Sequence, residues 1–293
     1  MSYDLYFMPR FGDLPERSFV DYFAARSNYR IANLQAWYEN DDTGVYFSFE
    51  RERDGADEAS HDDPTSRYAA SFNINFYRPS YFILEAESEV TAFVRQFDLV
   101  VFDPQTHGIG EGEYQPDGLI SGWHHGNRFA CSTLSGQSGD RNAIASLPSR
   151  RLAEIWNWNR NRQGLQTSIG ESMFVPKVVF LRRNAGVFTA AAWPDAIPAV
   201  LPKVDLLLIP RQELAPRRFW SRKEDIAVAS WTDVAQLLMK HGSHHASGGL
   251  ALGYQNPPDE IVRLVQALPA DQQSFTGISA DQVLDQELVQ RAA

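Results

Sequence analysis

The segment 68–103 constrains the fold most strongly, because it predicts a strand, a helix and a second strand in direct succession. Phe72, Ile74 and Phe76 alternate with more polar residues, which is the period of a strand with one buried face. Between residues 90 and 97, apolar residues recur at i, i+3, i+4 and i+7, the spacing of an amphipathic helix. The run DLVVFD that follows predicts an inner strand covered on both faces. A helix packed on a sheet is therefore expected here.

The preceding residues extend this sheet. Residues 3–8 predict a first strand, and Asp13 is the expected N-cap of a helix that runs to about Ser27. Residues 34–40 and 43–50 predict a hairpin, because polar turn residues separate two apolar runs. The order β, α, β, β, β, α, β predicts an α+β domain, in which helices cover one face of a mainly antiparallel sheet.

The second half has its own succession of elements. It predicts an opening helix at 150–162, strands in PKVVFLRR, VFTAAAWP, KVDLLLIPR and EDIAVASW, and three later helices that begin near Ser230, Asn256 and Ser279. Residues 104–148 are rich in Gly and Ser, with few apolar anchors. We therefore predict two domains: an acidic α+β domain at 1–134, a linker at 135–147, and a second α/β or α+β domain at 148–293.

The negative charge of the chain lies entirely in its first half. Of the net charge of −10, residues 1–134 contribute 22 Asp and Glu against 10 Arg, whereas residues 135–293 have 15 acidic and 17 basic residues. Such a field repels nucleic acid and favours encounter with a basic protein. An acidic surface also keeps a protein in solution, so charge alone leaves both explanations open.

Other features of composition predict a cytoplasmic protein. No apolar run approaches the length of a membrane span, and the start of the chain does not resemble a secretory signal. The single Cys131 cannot form an internal disulfide, which fits a reducing compartment. No motif calls for a cofactor, so none is expected.

An acidic loop beside aromatic residues is the best candidate for a binding site. Residues 50–63 include seven carboxylates, and the predicted hairpin places two more beside a pair of aromatic residues that we expect to be exposed. Aromatic anchors rimmed by charge are typical of protein-binding hot spots. The alternative is a disordered tether that binds no partner. The predicted partner-binding residues are Trp37, Tyr38, Asp41, Asp42, Glu50, Glu52, Asp54, Asp57, Glu58, Asp62 and Asp63.

Catalytic and nucleic-acid motifs are weaker. Histidines near His124 and His241 suggest a metal-dependent hydrolase as the alternative function, but the segment HGSHH lacks the spacing of a zinc-binding helix. Ser138 and Ser247 lack the glycine pattern of a nucleophile elbow. The basic run 217–223 encloses two aromatic residues, but the charge of the first half opposes nucleic-acid binding. We therefore predict no metal site, no catalytic residue and no nucleic-acid partner.

Several stretches resemble bacterial immunity proteins, the cytosolic inhibitors encoded beside toxins of polymorphic-toxin and type VI secretion systems. The similar stretches are FNINFYRPSYFILE, DLVVFDPQ, PKVVFL, AAWPDAIPAVLPKVDLLLIPR and LAPRRF. The resemblance implies a non-enzymatic protein that forms a 1:1 complex with its cognate toxin. An acidic inhibitor suits a basic toxin such as a nuclease. The resemblance assigns no individual residue.

Overall fold

A computed structural model describes residues 1–52, 68–105, 107–137, 144–184, 186–215, 217–218, 221–222, 225–271 and 275–290. The chain divides into two compact units. The first comprises Met1–Leu152 and Asp281–Ala293, and the second comprises Ala153–Ala280. The fold class is α+β, as predicted.

The first unit is built on a large sheet with helices on one side. Its elements in chain order are β1 (Ser2–Pro9), α1 (Glu16–Ala24), β2 (Tyr29–Ala32), β3 (Gln35–Asn40), β4 (Val45–Arg51), β5 (Ala70–Asn75), α2 (Tyr81–Phe97), β6 (Leu99–Phe102), β7 (Glu111–Gly112), α3 (Pro116–Gln137) and β8 (Ser146–Leu147). Helix α4 (Ser149–Ile169) follows, and the boundary between the units falls within it.

Seven strands form an antiparallel sheet in the order β2-β3-β4-β5-β1-β6-β7. Burial alternates along these strands. In β1, for example, Tyr3, Leu5 and Phe7 are buried, whereas Asp4 and Tyr6 are partly exposed. The sheet therefore has one covered face and one open face, because successive side chains point to opposite sides.

Aromatic rings fill the space between the covered face and the helices. Phe93 of α2 lies with its ring centroid 5.3 Å from that of Phe7 and 5.0 Å from that of Phe49. Phe23 of α1 lies 5.4 Å from Phe93. Each such side chain stabilises the fold by about 1.5–3 kcal/mol when it is fully buried. This cluster holds α1 and α2 on the same side of the sheet.

Helix α3 was not predicted. Its residues were expected to form a Gly- and Ser-rich connection, and its last three residues were assigned to the linker. Three glycines four residues apart line one side of the helix and allow it to approach the sheet closely. A Cβ atom on Gly126 would lie 2.3 Å from the ring of Phe76, and one on Gly122 would lie 2.9 Å from the hydroxyl of Tyr3. The prediction was wrong because these glycines serve close packing.

Three smaller predictions for the first unit also need correction. Strand β2 was missed, and α1 begins at Glu16 with Pro15 at the N-cap position, so Asp13 does not cap it. Strand β6 is not covered on both faces, since Val100 and Phe102 remain partly exposed. An antiparallel sheet with helices on one side leaves the other side open.

The C-terminal segment belongs to the first unit rather than to the second half as predicted. A helix starting at Ser279 was expected, but a 3₁₀ turn at Ala280–Gln282 precedes β19 (Leu284–Asp285) and α7 (Gln286–Gln290). Strand β19 pairs in parallel with β8. The backbone N–H of Ser80 donates to the carboxylate of Asp285 at 2.7 Å. These contacts join residues far apart in sequence.

The second unit is organised around a five-stranded sheet in the order β15-β12-β10-β9-β18. Strands β10 and β12 are parallel, and the other neighbours in this sheet are antiparallel. Its elements are β9 (Val178–Arg183), β10 (Gly186–Ala192), β11 (Ala199–Leu201), β12 (Leu206–Arg211), β13 (Arg217–Arg218), β14 (Ser221–Arg222), β15 (Asp225–Ser230), α5 (Trp231–His241), β16 (Ser243–His244), β17 (Leu250–Leu252), α6 (Asp259–Ala267) and β18 (Thr276–Ile278), with a 3₁₀ turn at Pro194–Ala196. The predicted strands and the helices near Ser230 and Asn256 are present.

A buried arginine ties this sheet to α6. The guanidinium of Arg211 forms a bidentate ion pair with Asp225, at 2.7 and 2.8 Å. It also donates to the backbone carbonyls of Val265 and Leu268, at 2.7 and 2.8 Å. Those carbonyls lie at the C-terminal end of α6, where backbone acceptors lack partners within the helix. One buried cation thus satisfies a carboxylate and a helix terminus together.

Candidate protein-binding surface

The candidate surface lies on the open face of the seven-stranded sheet. Strand pairing places Trp37 opposite Ser48 on β4, and Ser48 opposite Asn73 on β5, which in turn lies opposite Asp4. Residues paired in this way share one face of an antiparallel sheet. Along β3, Gln35 and Glu39 lie on the same face as Trp37, because side chains alternate with a period of two. We call Asp4, Gln35, Trp37, Glu39 and Glu50 the acidic face.

Trp37 is the exposed aromatic residue of the acidic face. Its side chain is 44% exposed, as the sequence prediction required. The indole N–H donates to the side-chain carbonyl of Gln35 at 2.8 Å, which restrains the orientation of the ring. Its two strand partners are Ser48 on β4, which is buried, and Arg30 on β2. A large, restrained and accessible ring is well suited to bury surface against a partner.

Three carboxylates share the face of the sheet that carries this indole, together with Arg30, which lies directly opposite it. Glu50 is exposed and lies opposite Gln35 on the neighbouring strand. Glu39 is exposed and forms an ion pair with Arg30 of β2. Asp4 accepts a hydrogen bond from the amide of Asn73 at 2.6 Å. Asp41 in the hairpin turn and Glu52 after β4 are also exposed.

Two predicted binding residues are buried instead of exposed. Tyr38 is only 6% exposed and Asp42 only 7% exposed. Tyr38 follows Trp37 in a strand, so the two side chains must point to opposite faces, and Tyr38 packs under α2. Burial raises the pKa of Tyr38, and the nearby carboxylate of Glu85 adds to the effect. The expectation that both aromatic residues face a partner was wrong.

Glu85 is the residue on which this hairpin depends, and the sequence reasoning missed it. One oxygen of its buried carboxylate accepts hydrogen bonds from Tyr38 at 2.8 Å, Asn40 at 2.7 Å and Thr43 at 3.0 Å. Side chains from β3 and from the turn are thereby held to α2. The sequence contains one sign of this role, because Glu85 lies on the apolar stripe of α2, three residues after Phe82. Fully hydrogen-bonded buried networks are rigid, so the strand that carries Trp37 is held in place.

The remaining predicted residues lie outside the part of the chain that the structure describes. They are Asp54, Asp57, Glu58, Asp62 and Asp63. Glu52 is the last described residue before them. The sequence still gives this segment its negative charge, which adjoins the acidic face along the chain.

The histidines do not form the centre that the hydrolase alternative requires. His124 lies on α3 in the first unit, where burial lowers its pKa. His241 lies at the end of α5 in the second unit, and its Nε2 is 3.0 Å from the carboxylate of Glu260. Within the described ranges, no three His, Cys, Asp or Glu side chains converge in a way that could hold a metal ion.

Comparison with known proteins adds no relative. Neither the family models, nor the curated proteins, nor the solved structures contain a match to this chain. Among the helices within the described ranges, none has both the length and the apolar character needed to cross a membrane.

Proposed function

We propose that this chain is a non-enzymatic binding protein whose acidic face binds a basic protein. One observation carries the proposal: an exposed, restrained Trp37 shares a sheet face with Glu39 and Glu50, on a strand that the Glu85 network holds in place. Buried aromatic anchors within a polar rim supply most of the energy of typical interfaces. Because the strand is already ordered, little conformational entropy is lost when a partner binds.

The most specific form of the proposal is an immunity protein. In this form the chain binds one molecule of a basic toxin, such as a nuclease, in the bacterial cytoplasm and prevents it from acting. The sequence resemblance to immunity proteins and the balance of −12 in residues 1–134 support it. A nuclease presents cationic groups to the phosphates of its substrate, and an acidic inhibitor meets the same groups.

The mechanism follows from the chemistry of the surface. The exposed carboxylates Glu50 and Asp41 accelerate encounter with lysine and arginine side chains, and this attraction acts before contact. Trp37 then loses its water and packs against the partner, which slows dissociation. Inhibition requires no bond to be made or broken.

The test first asks whether the gene next to the gene of this chain encodes a secreted toxin, and then uses the product of that gene. Purified full-length protein and that product should co-elute as a 1:1 complex in size-exclusion chromatography with light scattering at low salt. The toxin should lose its activity at equimolar ratio. Separate elution at low salt, or full toxin activity in excess inhibitor, would contradict the proposal.

A matched pair of variants locates the interface. Trp37→Ala should weaken the complex by about 2 kcal/mol or more, roughly a 30-fold rise in the dissociation constant, as for other central aromatic anchors. Phe129→Ala is the control, because Phe129 is an exposed aromatic residue (64%) of the same unit, on α3. Equal effects of the two substitutions would argue against the acidic face as the binding surface.

A further inference from the structure

We draw no further inference here: the strongest candidate, the pair of exposed imidazoles of His107 and His125, whose ring centroids lie 3.8 Å apart where the β6–β7 connection meets α3, supplies only two ligands for a metal ion, and no third His, Cys, Asp or Glu side chain within the described ranges completes a site with them.

Discussion

The two sheets of this protein have similar covered faces and opposite open faces. Each covered face packs aromatic or aliphatic side chains against helices, and each strand follows the same alternation. At β3 and β4 the open face of the first sheet carries Glu39 and Glu50 beside the indole of Trp37, and Tyr6 and Phe102 lie further along it. The open face of the second sheet carries aliphatic side chains and one phenyl ring. Packing of the cores does not require this difference. It is explained if the two open faces meet different surfaces.

In each unit, a buried charged side chain also joins the sheet to a helix. In the first unit it is the carboxylate of Glu85, which accepts three hydrogen bonds from the β3–β4 hairpin. In the second unit it is the guanidinium of Arg211, which pairs with Asp225 and with the end of α6. Substituting Glu85 and Arg211 separately tests whether each network stabilises only the unit that contains it.

Removal of the buried cation should have the largest effect. Arg211→Leu leaves Asp225 and two α6 carbonyls without their partner, and loss of one member of a buried pair costs about 3–5 kcal/mol. Hydrogen exchange of the full-length variant should show faster exchange in β12, β15 and α6. Unchanged protection in β1 and β5 serves as the internal control. Uniform loss over both units would contradict a division of stability.

Removal of the buried carboxylate should have the next largest effect, and it should fall on the other unit. Glu85→Ala removes the acceptor of three donors, two of them buried, and should cost about 2–4 kcal/mol. Glu85→Gln keeps an acceptor oxygen and is the matched control, with an expected cost of about 1 kcal/mol. Faster amide exchange in β3 and β4 is the measurement. If glutamine and alanine were equally harmful, the carboxylate would be acting through its charge rather than as an acceptor.

Ionic strength should have a smaller effect, which acts on the acidic face. The Debye length falls from about 14 Å at 50 mM salt to about 4 Å at 500 mM, so binding of a basic partner to the acidic face should weaken about tenfold. Titration calorimetry of the partner complex at the two salt concentrations would measure this change. An unchanged dissociation constant would show that charge does not contribute to binding at this face.

Local patterns predicted the sheets well, because alternation depends only on neighbouring residues. The sequence patterns correctly predict every strand of the first unit except β2, β7, β8 and β19. They also correctly predict β12 and β15 of the second unit. The same alternation should have separated Trp37 from Tyr38, since adjacent strand residues cannot share a face. The prediction for Tyr38 is wrong because adjacent aromatic residues in a strand do not form one patch.

Features that depend on distant residues were not predictable in this way. The glycines of α3 are informative only once Tyr3 and Phe76 are known to lie against them. The return of the C-terminal segment depends on contacts such as that between Ser80 and Asp285, which are 205 positions apart. The role of Glu85 depends on the hairpin that folds over it. In each case the deciding partner lies elsewhere in the chain, so no local pattern reveals it.

The smallest expected effect is a difference in how the two units respond to acid. Burial lowers the pKa of His124 below its ordinary value of 6.5, so near that pH the folded first unit binds this proton less readily than the unfolded chain does. Its contribution to stability is therefore present above about pH 6.5 and is lost as the pH falls below it. In the second unit, hydrogen bonds from Lys240 and then His241 lower the pKa of Glu260 from 4.5, so that contribution persists until the pH falls below about 4.5.

Hydrogen exchange, corrected for intrinsic rates, should show α3 losing protection between pH 7 and 5.5 before α5 and α6 do. His124→Gln should flatten the slope in the first unit, with Glu260→Gln as its counterpart in the second. Simultaneous loss in both units, unaffected by either substitution, would show that a group other than these two controls the response to acid.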